Sequence, residues 1–201
     1  MLPNQPADFA LVTLAGSRVR LLPLAQDHRE DLIAAARDGE LWKLWYTTVP
    51  EPEQIGVEIE RRLSLQAAGT MIPFAVIDPL SGRCVGMTTY MNIDRINRRV
   101  EIGSTWYARS FQRTGLNTEA KLLLLGHAFD TLQCIAVEFR THIRNEQSRR
   151  AIERLGAKFD GILRNHSYAR DGTLRDTCVY SIIPAEWPAV RARLESLLAA
   201  H

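Results

Sequence analysis

A chain of 201 residues with 46% hydrophobic and 24% charged side chains has the make-up of one soluble globular domain able to bury a substantial core. The formal net charge of +2 gives no basis for a nucleic-acid partner; no run approaches ~18 apolar residues and no signal-peptide pattern opens the chain, so an unanchored cytoplasmic protein is expected. Cys84, Cys134 and Cys178, odd in number and far apart, read as small buried hydrophobes of a reducing compartment, not as a disulfide frame or zinc site.

In chain order, residues 1–9 carry two prolines and few apolar side chains and are expected to form a loose lead-in. Val12 to Leu14 and Arg18 to Leu24 read as strands about a Gly16-Ser17 turn. Gln26 or Asp27 is expected to cap a helix whose apolar side is Leu32, Ile33, Ala35 and Ala36. The aromatic stretch Leu41 to Tyr46 has no regular period, though Trp42 and Trp45 are three apart and can share one face of a helical turn. It reads either as a core plug or, with Tyr46, as the wall of a substrate pocket, since ligand sites favour aromatic linings on connections.

Glu51 to Ala68 is helical in pattern, and Ile72 to Ile77 and Cys84 to Ile93 are strands about an Asp78 to Gly82 turn. Arg99 to Tyr107 is a third strand, with Val100, Ile102 and Trp106 expected on one side and Glu101, Gly103, Thr105 and Tyr107 on the other. Later, Ala136 to Thr141 reads as a strand, and Asn145 opens a helix that Gly156 ends. Lys158 to Arg164 and Arg175 to Ile183 are the last strands, joined by a polar loop bearing Tyr168, and Pro184 opens a final amphipathic helix. With no repeat and no linker, residues 1–201 are expected to form a single α+β domain with a mixed, mostly antiparallel central sheet flanked by helices.

The stretch Phe111 to Phe129, FQRTGLNTEAKLLLLGHAF, is the functional anchor. Gln112, Arg113, Thr114, Gly115 and Leu116 form a polar turn ahead of a helix expected to begin at Asn117 or Thr118. Successive backbone N–H groups there, with the helix macrodipole, favour an anion. Leu122, Leu125, Ala128, Phe129 and Leu132 share a helical stripe that buries the helix against the sheet.

This turn resembles the cofactor motif of the GNAT (Gcn5-related) N-acetyltransferases: Gln or Arg, two residues, Gly, one residue, then Gly or Ala, with Asn117 here at the last small position. Thr118-Glu119-Ala120, then Asn145 and Ser148 in RNEQSRR, LGAKFDGILR, Asp176 and Glu186-Trp187 follow in the order of the branch similar to the RimJ/RimL ribosomal-protein N-terminal acetyltransferases. The resemblance runs from about Arg18 to Trp187. It implies acetyl-CoA as cosubstrate, held by Gln112 to Thr118 and, along its pantetheine arm, by backbone groups of Thr105, Trp106 and Tyr107 and by Asn145 and Ser148. It implies an amine acceptor, a protein N-terminus or a small molecule, and it accommodates a homodimer.

Acetyl transfer from a thioester to an amine needs a held donor, a polarised carbonyl, a deprotonated amine and a protonated leaving thiolate. Glu101 is the candidate base, its rival role being a strand carboxylate paired with Arg98 or Arg99. Asn145 has an N-cap role open to it as well as a pantetheine contact. Ser148 is the candidate donor to sulfur, with Tyr168 and Tyr107 as alternatives. Trp42, Trp45, Tyr46 and Tyr168 are assigned to the acceptor pocket. The five histidines show no metal-ligand spacing, so no metal is expected, and neither a GxGxxG turn, a GxxxxGK[ST] loop nor a GxSxG elbow is present. The alternative reading is a protein that binds or senses CoA without catalysis.

Overall fold

The computed structural model describes residues 8–43, 49–169 and 171–200. Trp45 and Tyr46, placed in the acceptor pocket on sequence grounds, lie outside the described residues. Among the described residues the chain forms β1 (Leu14–Ala15), β2 (Arg20–Pro23), α1 (Arg29–Arg37), α2 (Ile55–Ala67), β3 (Met71–Ile77), β4 (Cys84–Asp94), β5 (Arg99–Tyr107) and α3 (Leu116–Gly126). There follow β6 (Ala136–His142), α4 (Glu146–Leu155), β7 (Lys158–Tyr168), β8 (Leu174–Ile182) and α5 (Trp187–Ala199). The strands make one sheet in the order β1-β2-β3-β4-β5-β6-β8-β7, antiparallel throughout except for β5 against β6. The mixed, mostly antiparallel α+β expectation holds.

Apolar side chains on the two faces of the sheet feed two separate cores. Val85, Tyr90, Val100, Ile102 and Tyr107 pack with α3 on one face; Met87, Ala75 and Trp106 pack with residues of α1 and α2 on the other. Trp106 therefore lies opposite to its expected side. Strand alternation breaks at Ser104, which has φ of 47°, and the register against β4 slips between Met87 and Thr89. The extra residue is a β-bulge, and beyond it every side chain changes face. Gly86 lets the bulge close up: a Cβ there would stand 2.2 Å from the carbonyl oxygen of Trp106.

Helix α3 begins at Leu116, a residue earlier than expected, and its buried row is Leu116, Ala120, Leu124 and Ala128 at intervals of four, with Leu125 beside it. Leu122 and Leu123 are only partly buried. The helix runs into a π-type turn over His127–Thr131. Ahead of α1 and α2 the chain makes short 3-10 turns, Gln26–His28 and Pro52–Gln54, so neither Gln26 nor Asp27 caps α1. β7 runs four residues past its expected end at Arg164, to Tyr168, β8 is shifted by one residue from Arg175–Ile183, and α5 starts at Trp187, three residues past Pro184.

The three cysteines are buried and unpaired. No described helix is long and apolar enough to cross a membrane.

Candidate functional site

β5 and β6 pair only through Arg99 with Ala136, Val100 with Val137 and Glu101 with Glu138. Past these three pairs the strands part: β6 continues against β8, whereas β5 stays with β4 from Ile102 to Tyr107. Parallel neighbours without a ladder leave main-chain donors and acceptors facing a gap. That gap is a cavity of about 670 Å³ between β5, β6 and α4, floored at one end by the turn before α3.

The structure brings most of the predicted site to this cavity. Thr105, Trp106 and Tyr107 line it from β5, and Gln112, Arg113, Gly115, Asn117 and Thr118 from the turn and first helical residues. Asn145 and Ser148 line it from α4. Thr114 and Leu116 are not on its wall: the Thr114 hydroxyl donates to the carbonyl of Phe111 (2.8 Å), and the Leu116 side chain is buried in the core.

The turn has the geometry of an anion cradle. Arg113 (φ 63°) and Gly115 (φ 81°) are both left-handed, a conformation that glycine tolerates at no cost and that recurs in backbone anion nests. The amide of Glu119 reaches the carbonyl of Gly115 at 3.0 Å and closes the first turn, and the amide of Gln112 is spent on the carbonyl of Arg109 (3.1 Å), so the N–H groups between them are those left for a ligand. The Gln112 side chain donates back to the carbonyl of Tyr107 (3.2 Å), and the Tyr107 hydroxyl donates to Asn117 Oδ1 (3.0 Å). These two bonds fix the turn to the end of β5. Asn117, at the position where the family motif has glycine or alanine, is thus occupied with the strand. The cradle and the unladdered edge of β5 fit a pyrophosphate with an extended amide-bearing arm.

Asn145 is the N-cap of α4, accepting the amide of Ser148 on its side-chain oxygen at 3.0 Å, and Gly156 ends the helix with φ of 105°. The Asn145 NH2 stays available to a ligand in the cavity beside Ser148.

Glu101 lies on the face of β5 opposite α3, buried, and does not itself line the cavity. Its neighbours Ile102 and Gly103 do. Asn92 Nδ2 donates to its Oε2 (2.7 Å), and Arg140 Nε stands 3.4 Å from the same oxygen. Arg140 is shared with Glu138, and Arg99 pairs with Glu138, so the expected partners Arg98 and Arg99 are replaced by Arg140. Burial raises the Glu101 carboxyl above its ordinary range; the Asn92 hydrogen bond and Arg140 oppose this. The other carboxylate oxygen reaches into the space of the missing side chain at Gly103, where a Cβ would be 2.9 Å away.

Of the residues expected in an acceptor pocket, Trp42 packs against the core beside α1 and α2, while Leu41 and Val49 line the cavity. Tyr168 stands exposed at the end of β7 and does not line it. The indole N–H of Trp106 is buried without a hydrogen-bond partner among the described residues, on the Leu41 side of the strand. No described group of three or more His, Cys, Asp or Glu side chains is placed to hold a metal ion.

Sequence reasoning missed Lys121, Arg140 and Arg175, all on the cavity wall. Lys121 gave a readable signal: it stands four residues before Leu125 and next to Ala120, on the side of the helix that faces the core. Its ammonium position is taken up by the hydroxyls of Thr105 (2.9 Å) and Thr88 (3.3 Å). Nothing in the sequence announced Arg140 and Arg175, which come together through the β6–β8 pairing.

A family profile described as acetyltransferase (GNAT) domain matches residues 18–158. A GCN5-related N-acetyltransferase from Brucella melitensis superposes with a TM-score of 0.85 at 32% identity, over 96% of this chain and 89% of that one. A relative named ribosomal N-acetyltransferase YdaF, from Bacillus subtilis, is 35% identical over 106 residues, which are 53% of this chain and 57% of that protein. Mycobacterium smegmatis RimJ, solved in complex with CoA-disulfide, shares the fold with a TM-score of 0.75 at 23% identity, over 93% of this chain and 92% of that one. The splayed sheet, the left-handed turn ahead of α3 and these matches together establish that the chain belongs to the GNAT acetyltransferase family.

Proposed function

We propose that this protein moves the acetyl group of acetyl-CoA to a primary amine, a protein N-terminus or a small molecule, by direct attack with both substrates bound. The observation that carries the reading is the gap between β5 and β6, open from Ile102 onward and ending at the Gly115 cradle. The N–H groups from Arg113 to Thr118 take the pyrophosphate, that of Gln112 being bonded to the carbonyl of Arg109 (3.1 Å). The free edge of β5 at Thr105, Trp106 and Tyr107, with Asn145, takes the amides of the arm.

The acyl end then lies beside Gly103, within reach of the Glu101 carboxylate through a water. The amine nitrogen attacks the thioester carbonyl, the C–N bond forms and the C–S bond breaks. Glu101 receives the amine's proton, and the Ser148 hydroxyl supplies one to the departing sulfur and recovers it from solvent. A carboxyl raised by burial suits the base, because general-base efficiency grows as the group's pKa approaches the working pH. Trp42 and the wall at Leu41 and Val49 border the acceptor's approach. The relatives named for ribosomal acetylation support a protein N-terminus as acceptor.

Arg140 gives a second reading its support: a Glu101 held by a guanidinium is a poorer base, and a protein that only binds the carrier would keep the same cradle. Thiol release from acetyl-CoA, screened across N-terminal peptides and small amines, decides between them. Saturable release with at least one acceptor is expected. Binding of CoA without release from any acceptor would favour the second reading, and no thermal shift at ~100 times a plausible dissociation constant, where about 2.7 kcal/mol is due, would end both.

A further inference from the structure

Lys121 is a buried cation in the wall of the cavity that meets no carboxylate among the described residues. Its partners are two hydroxyls, and those two also bond each other, Thr88 Oγ1 to Thr105 Oγ1 at 2.8 Å. It forms the second rung of a ladder between α3 and β5: Asn117 to Tyr107, then, one helical turn on, Lys121 to Thr105. A lysine in such a place costs stability whenever it is charged, since two neutral hydroxyls repay only part of its lost hydration. Burial pulls its pKa down to about 7.

We propose that Lys121 is the proton-dependent counter-charge of this site, the amine taking up a proton as the pyrophosphate of the acyl carrier settles on the turn one helical turn ahead of it. The inference rests on the CoA-binding reading above. The opposite charge that the fold withholds arrives with the ligand, and in a low-dielectric wall its effect reaches well beyond contact distance.

The other charged and titratable groups nearby are committed elsewhere or hold their state. Glu119, on the same helix, is taken by the Ser17 to Val19 turn. Glu101 points to the opposite face, towards Asn92 and Arg140. The Tyr107 phenol is kept neutral by burial, as is His127, which stacks on Tyr90. On α5, Arg191 pairs with Asp130. Arg113, Arg140, Arg154 and Arg175 share the cavity wall.

The test is calorimetric titration of the full chain with CoA at pH 8, in two buffers of different ionisation heat, for the wild type and Lys121→Met. At that pH the ribose phosphate monoester, with a second pKa near 6, is already ionised and contributes almost nothing. The wild type should take up about 0.9 proton per CoA, the fraction an amine titrating near 7 has lost at pH 8. Lys121→Met, which leaves Thr88 and Thr105 bonded to each other, should take up correspondingly less. The wild-type dissociation constant should also rise by up to about tenfold between pH 7.5 and 8.5, because the anion prefers the protonated form and that form is vanishing; the variant's should not. Equal proton counts in the two proteins overturn the proposal. Should the methionine variant not fold, Lys121→Gln replaces it, and zero proton uptake by the wild type alone is equally fatal. Failure of the wild type to bind CoA at all would sink the binding reading together with this one.

Discussion

The carboxylate of Glu101 occupies the room that a side chain at Gly103 would need, with Oε1 2.9 Å from the position of the missing Cβ. The strand's one residue without a side chain is what admits the acid to the neighbourhood of the cavity. Glu101→Gln should therefore lower kcat by roughly 10²- to 10⁴-fold while CoA binds as before. In the wild type, activity should fall as the pH drops through the raised pKa of Glu101, since a base must be ionised to act. Undiminished turnover in the variant, or a rate independent of pH in the acid range, would remove Glu101 from the reaction.

The same substitution makes a stability prediction of opposite sign. A carboxyl whose folded pKa lies above its unfolded value weakens the fold once the pH exceeds the unfolded pKa, because ionising it costs more inside than outside. Glu101→Gln should thus leave the melting temperature at pH 8 unchanged or raised, with Arg140 keeping Glu138 as partner. A clear fall would mean that the Asn92 and Arg140 contacts outweigh the burial.

At the cradle, Gly115→Val should abolish CoA binding, since a β-branched residue at φ of 81° cannot hold the left-handed turn. Asn117→Gly should still bind CoA but lose about 1–3 kcal/mol of stability, because the buried Tyr107 hydroxyl loses its acceptor. Titration of CoA followed by thermal melts separates the two effects. Normal binding by Gly115→Val would place the phosphates elsewhere.

Asn145 carries two separable duties. Asn145→Asp keeps the cap on the Ser148 amide and should melt close to the wild type, whereas Asn145→Ala should lose about 1 kcal/mol. If the NH2 group also holds the arm of the carrier, both variants should bind CoA more weakly, so affinity and stability part company only in the aspartate.

Glu119 is the strongest structural prediction. Its carboxylate accepts the amides of Ser17, Arg18 and Val19 and the Ser17 hydroxyl at 2.6–3.1 Å, lashing the β1–β2 turn to α3. Gly16 is required there, since a Cβ would stand 2.4 Å from the same carboxylate. Glu119→Ala should cost upwards of about 3 kcal/mol in a denaturant melt, with several donors stranded at once. A loss under 1 kcal/mol would show the turn to be held by other means.

Much of this was legible in the residues because local signals and the final fold agreed. The Asn145 cap, the Gly156 stop and the Gly115 turn each follow from backbone preferences that act within a few residues. What escaped were features decided at a distance. One bulge at Ser104 reverses the faces of Thr105, Trp106 and Tyr107, and an alternation rule has no means of sensing an inserted residue. Glu119 is claimed by a turn about a hundred residues earlier in the chain and Lys121 by two threonines on separate strands, partners that no local pattern names. Glu101 and its guanidinium met through the brief parallel pairing of β5 with β6, which no periodicity records.

That brief pairing has a mechanical consequence. Only three backbone pairs join β5 to β6, helped across that seam by the Arg99–Glu138 and Arg140–Glu101 ion pairs and by the core shared under α3. A ligand lying in the open part of the seam would act as a ninth, borrowed strand, bonding to both strands and stiffening their junction. Amide exchange at Ile102 to Tyr107 would then slow on CoA addition more than exchange in β3, turning this seam into a gauge of occupancy.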